Sequence, residues 1–157
     1  MWKDIGCEVW LSRLEHMVRM SGKTIRQKSH QQCLLCGDLN PDSFRLRFSA
    51  RPDGGVHAVF FSRPKYQGYD GMVHGGVIAS LIDAAMTHCL FGQGIEAVTA
   101  DLQIRFLRAI PCNQLINVQA EVVECRDPLF RLRGELTLDD CVMARGQARF
   151  IQRKGLE

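Results

Sequence analysis

After residue 100 the chain alternates apolar and polar residues through four successive segments, and only one earlier segment is apolar and long enough to cover the face they create. Leu102, Ile104 and Phe106 alternate with Asp101, Gln103 and Arg105. Ile116, Val118, Ala120 and Val122 alternate with Asn117, Gln119 and Glu121. Phe130, Leu132, Leu136 and Leu138 alternate with Arg131, Arg133, Glu135 and Thr137. Val142, Ala144, Gly146, Ala148 and Phe150 alternate with Met143, Arg145, Gln147 and Arg149. Period two gives each strand one apolar and one polar face. Short turns at Pro111-Cys112-Asn113, Asp127-Pro128 and Asp139-Asp140 make neighbouring strands antiparallel.

Upstream, residues 44–48 (FRLRF) alternate strictly, 51–55 (RPDGG) form a turn, and 56–61 (VHAVFF) return as a second strand. Residues 62–73 hold Pro64, Gly68 and Gly71 and read as a loop. Residues 75 to about 91 read as one helix, ended by Gly92 and Gly94. An amphipathic helix is expected over residues 7–20, with a polar loop or covering segment over 21–43. A sheet with one apolar face needs a cover, and the 75–91 helix is the segment able to supply it. The expected class is α+β, a curved antiparallel sheet of about six strands wrapped around a long central helix. One domain spans residues 1–157, with a helix-and-loop extension over 1–32 and a core over 33–151.

The central helix carries an ordered exception to its apolar surface. Val77, Ile78, Ala79, Leu81, Ile82, Ala84, Ala85 and Met86 lie on most sides of the axis, as in a buried helix. Gly76, Ser80, Asp83 and Thr87 step by four, three and four, so they share one face. At the top of this stripe the first-turn N–H groups have no acceptor within the helix. Gly75 and Gly76 leave them open to a polarised carbonyl or oxyanion. About two turns below, Asp83 supplies a base or a nucleophile. An isolated Asp on a helix is ordinarily a solvated one. Here the apolar surroundings and the anion-ready terminus argue for a site.

The run HGGVIASLIDAAM, with His74, Gly75, Gly76 and then Asp83, resembles the signature of hotdog-fold acyl-CoA thioesterases of the phenylacetate-pathway type. VTADLQIRFLRAIP is similar to that family's strand after the helix, and CLLCGDLNPDSFRLRF to a segment of one branch of uncharacterised relatives. The resemblance covers about residues 33–151. It implies a hotdog fold and metal-free hydrolysis of an acyl-CoA thioester at a subunit interface. The thioester carbonyl would accept from a backbone N–H at Gly75 or Gly76. Asp83, contributed by the partner copy, would attack or activate water. Thr99 falls where the family places a hydroxyl that orients water or the carboxylate, and His74 would order the loop or contact the carbonyl. Several relatives carry an Asn six residues before the His; here Gly68 stands there, beside Gln67. Substrate contacts are expected at Gln67, Gly68, Ser80 and Thr87. Arg105, Arg108 and Lys65 are candidate partners for the coenzyme phosphates. The pocket lining is expected from the 62–73 loop with Met72, Met86 and Phe91.

Two further readings stay open beside the thioesterase: a non-catalytic acyl-CoA-binding protein, and a hydratase or dehydratase that pairs His74 with Asp83 across the interface. Coenzyme A enters as part of the substrate, and no cofactor is expected. A dimer or tetramer is expected, because the polar stripe needs a facing wall and an open sheet has an edge.

Other chemistries fare worse. Cys33-x-x-Cys36, with His30 just before, has half the spacing of a zinc site, and no second pair follows. The reading there is a covering loop with no metal. Cys89, Cys125 and Cys141 are expected to pack. There is no Gly-x-Ser-x-Gly elbow, dinucleotide fingerprint or phosphate loop. A net charge of +3, with no basic run interleaved with aromatics, argues against nucleic acid. No apolar run approaches membrane-spanning length. The first twenty residues lack a signal-peptide pattern, and seven scattered cysteines suit a reducing compartment, so a cytoplasmic protein is expected.

Overall fold

The four alternating segments form strands in the computed structural model, which describes Ser12, Glu15, His16, Arg19 and residues 21–153. The strands are β1 (Ser49–Ala50), β2 (Val56–Phe61), β3 (Ala97–Phe106), β4 (Leu115–Arg126), β5 (Leu129–Leu138) and β6 (Cys141–Gln152). They make one sheet in the order β1-β2-β4-β5-β6-β3, antiparallel throughout. The central helix (Gly75–Phe91) lies against its apolar face. Most of the helix expected over 7–20 lies outside the described residues.

Burial follows the alternation. Ile116, Val118, Ala120, Phe130, Leu132, Leu136, Ala144, Ala148 and Phe150 are buried beneath Ile78, Leu81, Ile82, Ala85 and Met86 of the helix. Each such Leu or Ile contributes about 1.5–3 kcal/mol by leaving water. The opposite face is polar, laced by pairs such as Arg149–Asp101 at 2.9 Å and Arg131–Glu124 at 3.0 Å. These are exposed and contribute at most about 1 kcal/mol each.

Two glycines set the depth of the helix. Gly134 of β5 and Gly146 of β6 are direct cross-strand partners. A Cβ on Gly146 would come within 2.5 Å of Ile82 Cγ2 and 2.8 Å of Ile104 Cδ1; one on Gly134 would come within 3.1 Å of Ile82 Cγ2. The pair forms a notch that seats Ile82 and so fixes Asp83, its neighbour on the helix.

One strand differs from expectation. Residues 44–48 alternate in sequence, and Leu46 and Phe48 are buried, but the regular ladder is confined to Ser49–Ala50. Arg45 has φ +53, which breaks an extended run. The segment instead pairs irregularly with the covering loop: Phe44 N–H donates to Leu34 O at 2.8 Å and Leu46 N–H to Leu35 O at 2.9 Å. The helix ends where expected, and it is Gly94, at φ +70, that takes the left-handed conformation. Cys89 packs in the core, whereas Cys141, at the start of β6, is exposed.

Candidate active site

His74 is the N-cap of the central helix. Its Nδ1 accepts from Gly76 N–H at 2.8 Å, and its carbonyl accepts from Val77 and Ile78 N–H at 2.9 and 3.1 Å. Gly75 N–H is thereby left as the first-turn donor with no partner inside the helix. A Cβ on Gly76 would lie 3.1 Å from His74 Nδ1, and one on Gly68 would lie 3.2 Å from His74 Cδ2. The imidazole is therefore clasped between two glycines that must stay small. Because Nδ1 is the acceptor, the neutral ring carries its proton on Nε2. That proton can be donated to a carbonyl, while neither nitrogen is free to act as a base.

A cleft of about 640 Å³ opens beside this helix start, lined by Tyr69, Met72, Ile78, Phe106, Arg108 and Ile110 among others. Its walls are mainly apolar, with Gly75 and His74 at one side. Met72 is the one member of the expected lining trio that faces it; Met86 and Phe91 are buried in the core. Tyr69, from the 62–73 loop expected to line the pocket, flanks the cleft, as do Phe106 and Ile110, which the sequence reading did not name as lining residues.

Asp83 lies two turns down the open side of the helix. Burial pushes its carboxyl above the ordinary range, and a hydrogen bond from Thr99 opposes the rise. Thr99 Oγ1 donates to Asp83 Oδ1 at 2.7 Å. This contact depends on an irregularity in β3. Thr99 pairs with Phe150 and Asp101 with Arg149, leaving Ala100 as the extra residue of a bulge. Strict alternation would put Thr99 and Asp101 on one face; the bulge turns Thr99 to the helix and Asp101 outward. A carboxylate whose proton affinity is raised, held by one hydroxyl, suits proton transfer or attack.

The other stripe residues are quieter. Ser80 Oγ donates to Gly76 O at 2.8 Å and Thr87 Oγ1 to Asp83 O at 3.0 Å, so both hydroxyl protons are used on the helix backbone. Gln67 Oε1 accepts from Gly71 N–H at 3.0 Å and ties the 67–71 turn. Lys65 sits over the Tyr66 ring at 5.0 Å. Arg108 borders the cleft, whereas Arg105 pairs across the strand with Arg145 on the sheet face away from the helix. The structure thus brings His74, Gly75, Gly68 and Arg108 to one cleft, and Asp83 with Thr99 to a second point. Along a helix rising 1.5 Å per residue, Gly75 and Asp83 stand about 12 Å apart.

Two buried groups stand outside both points. Burial pushes the Cys89 thiol up to about 12, so it is no nucleophile. His88 is pushed down to about 4 by burial and donates from Nδ1 to Ala84 O at 2.8 Å, stacked on Phe48. It is a neutral core histidine.

The thioesterase superfamily model matches residues 70–144. Acyl-coenzyme A thioesterase THEM4 of Rattus norvegicus is 32% identical over 101 residues, 63% of this chain and 40% of the rat protein. The chain therefore spans less than half the length of that relative. Among solved structures, the E. coli PaaI protein from the phenylacetic acid degradation operon superposes with a TM-score of 0.66 at 18% identity, covering 71% of this chain and 82% of that one. The protein smu.793 of Streptococcus mutans, bound to acetyl CoA, superposes with a TM-score of 0.62 at 19% identity, covering 66% and 85%. At these identities the structures establish the hotdog fold, and residues 70–144 are similar to the thioesterase superfamily.

Proposed function

We propose that this chain hydrolyses acyl-CoA thioesters, without a cofactor, at sites shared between two copies. The observation that carries the reading is the Asp83–Thr99 pair on the same open helix side as the Gly75 N–H, yet about 12 Å below it. One reacting carbonyl must lie within about 3 Å of both an oxyanion donor and the attacking group. A single rigid helix cannot satisfy that. A second copy can, if its Asp83 meets the Gly75 of the first. The midpoint of the two groups is Ala79, a small, half-buried residue on the same side of the helix. The acyl group enters the apolar cleft, Gly75 N–H and His74 Nε2–H polarise the carbonyl, and Asp83 of the other copy activates water or attacks. Arg108, at the rim, is the candidate contact for a coenzyme phosphate. The name of the rat relative and the acetyl CoA bound to the streptococcal protein support an acyl-CoA substrate. A cytoplasmic setting stays part of the proposal and rests on the scattered cysteines of the sequence.

A second reading, acyl-CoA binding without turnover, draws on one observation. Gly68 has no side-chain amide to offer the thioester, and the Gln67 carbonyl oxygen is tied to the 67–71 turn. The hydratase reading loses ground because His74 has no free basic nitrogen in its capping state. Thiol release from a panel of acyl-CoAs separates the readings. Turnover that disappears in Asp83→Asn with assembly intact supports hydrolysis. Stabilisation by acyl-CoA without thiol release supports the binding protein. Unchanged turnover in Asp83→Asn sinks the assignment.

A further inference from the structure

A second convergence of chemistry-bearing side chains lies at the other end of the central helix, in the loop that covers it. A 3₁₀ turn at Lys28–His30 is followed by two tight turns, Cys33 N–H donating to His30 O at 3.0 Å and Gly37 N–H to Cys33 O at 2.8 Å, and Leu39 N–H closes the loop on Gln31 O at 2.9 Å. The winding leaves no room at Gly37, where a Cβ would sit 2.5 Å from Gln31 O and 2.6 Å from Cys33 N. It gathers His30, Cys33 and Cys36 so that one ligand atom of each lies within 4.8 Å of the others. Both cysteines are free thiols, and none of the three side chains is fully exposed.

The spacing matches a tetrahedral metal. Zinc bonds of about 2.3 Å to sulfur and about 2.05 Å to nitrogen at the tetrahedral angle hold S and N about 3.6 Å apart. His30 Nδ1 and Cys36 Sγ are 3.7 Å apart. Leu35 N–H points at Cys33 Sγ at 3.4 Å, an outer contact of the kind that supports a thiolate ligand. The loop is braced independently. Ser29 Oγ donates to Glu96 Oε1 at 3.1 Å, and Gln27 donates to the same carboxylate. Arg47 Nη1 donates to Cys36 O at 2.9 Å. The His30 ring meets Phe91, the last residue of the helix, edge-on at 4.7 Å. A preformed cluster of two sulfurs and an imidazole favours a borderline-soft ion over magnesium or calcium.

We propose that His30, Cys33 and Cys36 bind a zinc ion, with solvent in the fourth position, and that the ion pins the residue 27–38 loop over the C-terminal end of the central helix. Sequence spacing alone disfavours this, since half a motif is present; the turns supply the convergence that the spacing does not encode. The ion is remote from His74 and has a structural task, independent of the thioesterase reading.

Metal analysis of the full chain, purified under reducing conditions without chelator, tests it. Expected are about one zinc per chain, a thiolate-to-metal charge-transfer band on cobalt(II) exchange, and loss of both in Cys36→Ser. Cys141→Ser, which alters an exposed thiol outside the cluster, keeps both. Should Cys36→Ser fail to fold, the intact chain still answers: a strong chelator lowers its melting temperature and added zinc restores it. Substoichiometric zinc with no cobalt band overturns the proposal and leaves a thiol–imidazole hydrogen bond. Zinc retained by both Cys36→Ser and His30→Ala overturns it as well, as does a Cys33–Cys36 disulfide in the reduced preparation.

Discussion

The Thr99 hydroxyl offers the sharpest perturbation, because it acts on Asp83 through one short contact. Burial favours the protonated carboxyl, while the 2.7 Å O–H···Oδ1 bond favours the ionised one. Thr99→Val keeps the branched shape that suits a strand and removes only the donor. Hydrogen bonds to charged groups contribute about 1.5–3 kcal/mol. Thr99 is exposed in the single chain, so water competes and the lower figure applies. About 1.5 kcal/mol is roughly a tenfold change in the protonation equilibrium. With the bond gone, burial acts unopposed and Asp83 holds its proton to higher pH. The acid limb of kcat/KM for thiol release therefore moves to higher pH. Below that limb the rate falls about tenfold relative to wild type, and the loss narrows above it. Thr99→Ser keeps the hydroxyl and restores the wild-type limb. A thermal melt verifies that each variant is folded. Superimposable acid limbs for wild type and Thr99→Val would refute the coupling of this pair to the reacting group.

Three further outcomes follow from the same contacts. Asp83 has a raised folded-state pKa, so its burial costs stability above that value and costs nothing once pH falls below the unfolded range. Asp83→Asn is therefore more stable than wild type near neutral pH, with a gain that vanishes in acid; denaturant melts at both conditions check this, and an equal gain at both is the contrary result. Gly146→Ala forces a Cβ to within 2.5 Å of Ile82 Cγ2, so overpacking costs about 1–3 kcal/mol in a urea melt, and an unchanged midpoint contradicts the notch. His88 is lowered from 6.5 to about 4, so the stability tied to its neutral form is complete above 6.5 and is lost as pH falls toward 4, by about 3 kcal/mol at the limit. His88→Phe flattens that part of the stability–pH curve, and identical curves would show that the imidazole is not the titrating group.

Periodicity exposed the four later strands because one face of each is buried and the other is wet, which leaves a two-residue pattern in the chain itself. The same pattern misled at residues 44–48. There the alternating burial is real, but Arg45 turns to positive φ and the backbone pairs with Leu34 and Leu35 rather than with a strand. Helical spacing put Gly76, Ser80, Asp83 and Thr87 on one face, and that face is the open side of the helix. It could not say that Ser80 and Thr87 spend their hydroxyl protons on the backbone carbonyls four residues earlier. Nor does any residue announce the bulge at Ala100. Counting by twos from Leu102 sends Thr99 outward with Asp101, and only the register against β6 reverses it. Arg105, counted the same way, does face out, which separates it from the cleft. The histidine beside the cysteine pair was visible, but convergence depends on three successive turns, and turns compress sequence distance in ways that spacing does not reveal.

The open helix side and the β3 edge are best understood together. β3 is the last strand of the sheet, and its exposed Phe106 lies on the helix side with Asp83 and Thr99, so a pairing edge with an apolar residue borders that side. In a two-fold contact, residue i of one copy meets residue j of the other, and j meets i. If Gly75 meets Asp83 once, it does so twice, and each dimer holds two equivalent sites. Asp83 would then be further desolvated by the facing copy, which raises its proton affinity in the direction that burial already takes it. The cost of burying the carboxylate would fall on assembly rather than on folding of the single chain. In that proposed arrangement a mostly apolar helix would tolerate the acid, because the carboxylate would become fully enclosed only on contact with the second copy.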